Sequence, residues 1–191
     1  MKNKINLKRI AKDALLPALL VICAWISIPF AASVITLQVF GVILVILLAE
    51  KYDSIIIVFL YVLMGTCGLP VFSGFSSGFS SITYGFVIGF LVATIIIYIY
   101  QLIFVRKREE KLIDIIIKCA IFEFIIYVFG LSWYTILSDT HNFFLWLYVF
   151  LPYIGIDAVK CWIAIIIYRR LKIIFKKQEE ENKAISEEKG E

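Results

Sequence analysis

Leu151-Pro152-Tyr153-Ile154-Gly155-Ile156-Asp157-Ala158-Val159-Lys160 lies inside a run from Phe143 to Tyr168 that carries no charge besides Asp157 and Lys160. A run of this length and polarity is long enough to cross a bilayer as a helix. Residues three apart share one helical face, so the acid and the base point the same way. A charge at the centre of a membrane helix costs about 2.5–3.5 kcal/mol even on the lenient insertion scale. Two opposite charges on one face therefore turn toward a protein interior. They either bind something polar there or satisfy each other between helices, and the spacing alone leaves both open.

The rest of the chain repeats the pattern. Of its 191 residues, 62% are hydrophobic and 18% charged, with a mean hydropathy of +0.94. A soluble domain of this length is nearer half apolar. Several long uncharged runs make it an all-α, multi-pass membrane protein. The net charge of +4 does not point to nucleic acid, because the basic residues sit beside the apolar runs, where they control topology. Cys23, Cys67, Cys119 and Cys161 all fall inside apolar runs, with no CxxC pair and no His at ligand spacing. Neither a disulfide nor a metal framework is expected, and the four cysteines read as buried, small and inert. No other cofactor is expected.

Residues 1–13 hold five Lys/Arg against Asp13 and form a basic N-terminal segment. Span one runs from Ala14 to Phe30, too long for a cleaved signal. A short link, 31–33, leads to span two at Val34–Ala49. The turn at 50–53 precedes span three, Ser54–Leu69. Span four is Ile82–Val105, span five Leu112–Leu137, and span six begins at Phe143. The transmembrane domain is expected to cover 14–171, followed by an acidic, disordered tail over 172–191. Lys and Arg crowd the N-terminus, the 50–53 turn, the 106–111 loop and the C-terminal segment, and are absent from 31–33, 70–81 and 138–142. The positive-inside rule then gives six transmembrane helices with both termini cytoplasmic. Spans two and three reach only about 24 Å at 1.5 Å per residue, short of a ~30 Å core. Either flanking residues extend them or the bilayer thins.

Depth along the helices adds a candidate. Asp157 and Glu123 each lie roughly 18 Å from the inner end of their helix, so Glu123 either joins the buried charges, pairs with Lys118, or faces a partner. The loop at 70–81 interleaves Gly74 and Gly78 with Ser73, Ser76, Ser77, Ser80 and Ser81 and with Phe75 and Phe79. Glycine permits close backbone approach to a ligand, so this loop suits a lid, although a plain connector has the same composition. Ala14 and Ala18, with Ala11 before them, form a small-xxx-small face for helix packing, within the chain or against a partner. Gln38, Trp133, Tyr134, Tyr148 and Tyr153 lie at outer span ends, where aromatics are common. The lone His141 has no nucleophile beside it, and no Walker motif is present, so neither catalysis nor ATP hydrolysis is expected.

Several segments together resemble the BioY family, the substrate-binding S component of energy-coupling-factor (ECF) biotin transporters. They are Ile35-Thr36-Leu37-Gln38, the run Gly65-Thr66-Cys67-Gly68-Leu69-Pro70-Val71-Phe72-Ser73-Gly74, Gly85-Phe86-Val87-Ile88-Gly89-Phe90, Tyr127-Val128-Phe129-Gly130-Leu131-Ser132-Trp133, and Phe150-Leu151-Pro152 followed by Asp157-Ala158-Val159-Lys160. The resemblance implies a six-helix fold in the cell membrane with a biotin pocket open to the outside. It places ligand recognition on Asp157 and Lys160. The expected site also takes in Gln38, Trp133, Phe75, Ser76, Ser77, Phe79 and Tyr84, with Glu123 as a buried charge partner. It implies that Ala11, Ala14 and Ala18 dock the ECF transmembrane coupling subunit, and that two cytoplasmic ATPases supply energy. The chain departs from the family between 74 and 85, where a Gly-Pro turn is missing and the loop is shorter. A biotin precursor or another small carboxylate is thus an alternative ligand. An ion-coupled secondary transporter, with Glu123 and Asp157 as proton carriers, is the alternative mechanism, and a non-transporting membrane adaptor is a third.

Overall fold

A computed structural model describes residues 7–30, 33–50, 52–79, 83–105, 110–138 and 142–188. Six α-helices are present among them: α1 Leu7–Trp25, α2 Gln38–Leu48, α3 Asp53–Thr66, α4 Tyr84–Tyr100, α5 Leu112–Leu137 and α6 Phe143–Glu188. The last five residues of the α4 span, Gln101–Val105, wind as a π-helix. Two stretches, Tyr84–Val105 and Phe143–Phe175, are long and apolar enough to cross a membrane, and shorter apolar helices accompany them. Large apolar side chains cover the outside; Phe124 and Phe144 are 72% and 79% exposed. A water-facing surface does not tolerate apolar patches of that extent.

The expected helix over 14–30 is corrected. α1 stops at Trp25, and Ser27–Phe30 (β1) pairs antiparallel with Ser33–Thr36 (β2), Ile28 opposite Ile35 and Pro29 opposite Val34. The β-branched run Val34-Ile35-Thr36 favours strand, and Pro29 lacks the N–H that a continuing helix needs. A bond from Leu37 N–H to the Ile26 carbonyl, 3.1 Å, extends the pairing toward α2. Strand backbone at membrane depth is tolerated where it is buried in protein or lines a cavity, and β2 does line one.

Span two is likewise shorter than expected. α2 has 11 residues, about 17 Å at 1.5 Å per residue. Its residues from 38 to 47 are all buried except the partly buried Phe40. A helix apolar all round is one enclosed on all sides. α2 packs against α1, α3, α5 and α6, so neither bilayer thinning nor flanking extension is needed to account for its length.

α4 and α5 interlock through glycine. The Phe86 ring of α4 lies where a Cβ on Gly130 would be 2.4 Å away, and Trp133 of α5 lies where a Cβ on Gly85 would be 2.2 Å away. Each aromatic thus occupies the notch left by the other helix's missing side chain. Farther along, the Phe90 and Phe122 rings stack at 5.8 Å.

Two further expectations are corrected. α6 runs on to Glu188, into the segment expected to be disordered. Positions 172–188 contain no Gly or Pro and are rich in the helix formers Lys, Glu, Gln and Ala. Cys67 is exposed just beyond α3, while Cys23, Cys119 and Cys161 are buried, and all four are free thiols. Lys51, Ser80, Ser81, the 106–109 stretch and His141 lie outside the described residues, as does the Ala11 side chain.

Candidate functional site

The charged stretch of α6 forms the base of a pocket. Lys160 Nζ donates to Asp157 Oδ1 at 2.6 Å and to the Thr36 carbonyl at 2.6 Å. Tyr127 Oη, from α5, donates to Asp157 Oδ2 at 2.7 Å. Asp157 and Lys160 are each 8% exposed, so every bond in this set forms where water competes little. Helix, strand and helix meet here because each supplies what the others lack: α6 both charges, β2 a bare carbonyl, α5 a phenol.

Gln38 holds another wall. As the first residue of α2, its side chain projects beyond the helix and donates to Tyr61 Oη at 2.8 Å; that hydroxyl donates onward to the Val71 carbonyl at 3.0 Å. The bonds tie α2, α3 and the start of the 70–81 loop together and set the Gln38 amide facing the pocket. The cavity holds about 550 Å³ between atoms, its open mouth included, within the usual size of a small-molecule site. Phe86, Phe90, Phe150, Tyr153 and Ile156 make it apolar on one side, and Val34, Ile35 and Val39 on another. Phe86 meets the Tyr127 ring edge-on at 5.7 Å, and Phe150 lies 5.1 Å from Tyr153. Such a pocket takes a small molecule with flat apolar parts and polar atoms of both kinds, one to donate to Asp157 and one to accept from Lys160.

Of the sequence-derived candidates, Asp157, Lys160 and Gln38 line this pocket together. The others lie beside it. Tyr84 bonds Thr66 Oγ1 at 3.1 Å and packs 5.7 Å from Trp133 and 5.1 Å from Phe79. Phe75 stacks on Trp25 at 5.1 Å, and Trp25 Nε1 donates to the Pro70 carbonyl at 2.8 Å. Ser76 Oγ donates to the Ser73 carbonyl at 2.8 Å, and Ser77 is not among the lining residues. The loop itself reaches the pocket through Ser73. It folds as a short 3₁₀ turn, Ser73–Phe75, with Gly74 at φ 63° and Phe75 at φ 62°, where a phenylalanine is unusual.

Glu123 stands behind the pocket. It accepts from Cys161 Sγ at 2.9 Å, and its Oε2 is buried without a partner among the described residues. Its expected alternative partner, Lys118, pairs instead with Glu110, whose other oxygen accepts from Tyr168 at 2.7 Å. Ala14 and Ala18 are exposed on α1, on the side away from the buried Leu16 and Leu20, so internal packing does not explain their spacing.

Tyr127 and Thr36 were not singled out as site residues. Tyr127 lies one helical turn after Glu123, but which way it faces depends on α6, 30 residues later at Asp157. Thr36 contributes a main-chain oxygen, which no side-chain pattern announces. Phe86 and Phe90 lie in the family-like segment 85–90, which does not by itself mark them as pocket walls.

Comparison with known proteins covers most of the chain. The chain matches the BioY family model over residues 1–177. It is 30% identical over 171 residues to the biotin transporter BioY of Thermotoga maritima, covering 87% of this chain and 96% of that one. It is 32% identical over 168 residues to a protein of Pyrococcus horikoshii named probable biotin transporter BioY, covering 86% and 96%. Its fold is similar, at TM-score 0.77 and 22% identity over 90% of this chain and 94% of the other, to the crystal structure of the S-component for biotin from an ECF-type ABC transporter. With a family match across residues 1–177 and two relatives covered nearly end to end, this chain belongs to the BioY family.

Proposed function

We propose that this integral membrane protein is the substrate-capturing component of an ECF-type transporter and that its ligand is biotin. The observation that carries this is the Asp157–Lys160 pair, oriented by Tyr127 and the Thr36 carbonyl at the base of an apolar pocket, in a member of the BioY family. The chemistry is capture, not catalysis. Asp157 accepts hydrogen bonds from the N–H groups of a ureido ring, and Lys160 donates to a ligand carbonyl or carboxylate. Phe86, Phe150 and Tyr153 enclose the apolar part. The remaining candidates, Gln38, Trp133, Tyr84, Phe75, Ser76, Ser77 and Phe79, are assigned to the wall and lid of the same site.

In this scheme six spans cross the membrane with both termini cytoplasmic, and the pocket opens outward. The exposed Ala14 and Ala18, with Ala11, dock the transmembrane coupling subunit, and two cytoplasmic ATPases drive delivery. Another small carboxylate is the second ligand reading. It is favoured by one observation: the short 70–81 loop reaches the pocket only through Ser73 among its described residues.

The test is a titration of the detergent-purified protein with biotin, followed by tryptophan fluorescence. Asp157→Asn and Lys160→Ala are each expected to weaken binding by about 1.5–3 kcal/mol, the range for hydrogen bonds to charged groups. Wild-type affinity in both variants would overturn the site. A well-folded wild-type protein that ignores biotin would overturn the ligand and turn the search to other small acids.

A further inference from the structure

A second concavity lies on the outside of the bundle, where the first turns of α5 meet the later part of α6. It holds about 860 Å³, its open side included, between Ile116 on α5 and Trp162, Ile166, Arg169, Arg170 and Ile173 on α6. Positions 162, 166, 169/170 and 173 recur at helical spacing, so they make one stripe along α6. Trp162 is 64% and Ile173 65% exposed. Both arginines are exposed as well, and among the described residues neither has an ion-pair or hydrogen-bond partner.

We propose that this groove binds one anionic phospholipid, its phosphate between Arg169 and Arg170 and an acyl chain lying along Ile166, Trp162 and Ile116. Depth and charge carry the assignment. Arg169 and Arg170 are the first charged residues of α6 after Lys160, at the end of the uncharged part of the Phe143–Phe175 stretch. Trp162 lies about 10 Å back, at acyl-chain depth. The groove thus carries one cationic step, Arg169 and Arg170, with hydrocarbon surface on its Trp162 side and Ile173 beyond it. Guanidinium groups bind phosphate through paired N–H donors, and basic pockets between membrane helices favour acidic headgroups. Two adjacent cations without a fixed counter-charge select a net-negative headgroup over a zwitterionic one. A docking protein has no such requirement for charge and hydrocarbon in this order. The site is separate from the ligand pocket and does not depend on what that pocket binds.

The experiment places the full chain in phosphatidylcholine vesicles containing brominated phosphatidylglycerol or, separately, brominated phosphatidylcholine at equal mole fraction. Tryptophan quenching is compared between the wild type and Trp162→Phe, so that the difference isolates Trp162. Stronger quenching of that component by phosphatidylglycerol is expected, with the preference lost in Arg169→Gln/Arg170→Gln and weakened by salt. The two arginines are exposed, so the double variant should keep its helical circular dichroism. Native mass spectrometry of the wild type gives a reading independent of any variant, with retained phosphatidylglycerol expected over phosphatidylcholine. Equal quenching by both lipids, or a preference that persists in the double variant, would overturn the proposal. A groove kept for a protein partner would give that first result.

Discussion

At the residue scale the pocket's charges come as a closed set. Asp157 has Lys160 on one oxygen and Tyr127 on the other. Removing one member of a buried pair costs more than the pair contributes, because the partner is left uncompensated. Tyr127→Phe deletes only a hydroxyl and keeps the ring that meets Phe86. Thermal unfolding in detergent should show a stability loss of about 1.5–3 kcal/mol, the range for a hydrogen bond to a charged group, together with weaker ligand binding. An unchanged melting curve and unchanged affinity would mean that Asp157 is held by Lys160 alone. Asp157 and Lys160 announce themselves because charge is rare at that depth, whereas Tyr127 is one aromatic among many on α5. Its partner lies 30 residues on, and only the packing of α5 on α6 selects it. The Thr36 contribution is backbone, so its place in a family-like segment does not reveal that its carbonyl meets Lys160.

At the scale of elements, legibility followed the charges. The bounds of α5, Leu112 and Leu137, are legible in the sequence because polar residues flank both ends of a mostly apolar run. The stretch from 27 to 36 has no such markers. Ile, Val and Phe count equally toward hydropathy in a strand or a helix, so a hairpin passed for the end of one span and the start of the next. The α4–α5 notch is equally silent, since a glycine reveals nothing of which ring will cover it. It does yield a sharp expectation. Gly130→Ala sets a methyl 2.4 Å from the Phe86 ring, and overpacking of this kind costs about 1–3 kcal/mol. Since Phe86 lines the pocket, the variant should lose both melting temperature and ligand affinity. Gly155→Ala has open space around its new Cβ and serves as the control. Equal behaviour of the two would show that α4 and α5 separate easily.

At the scale of the whole molecule, surface and interior divide the labour. The exposed alanine face of α1 is remote in role from the pocket, so the proposed docking function separates cleanly from binding. Ala14→Leu with Ala18→Leu should leave biotin titration of the isolated protein unchanged, while abolishing co-purification with the coupling subunit and uptake in cells. Intact co-purification would move the docking face elsewhere. The hydrogen bond from Lys160 to Thr36 has a further bearing, on how the protein is made. It joins positions 124 residues apart, so the hairpin is synthesised well before its partner. Until α6 is made, the Thr36 carbonyl has no Lys160 to answer it and the pocket has no charged base. The binding site is therefore complete only once α6 has packed, and a chain cut short before α6 has no charged pair to grip its cargo.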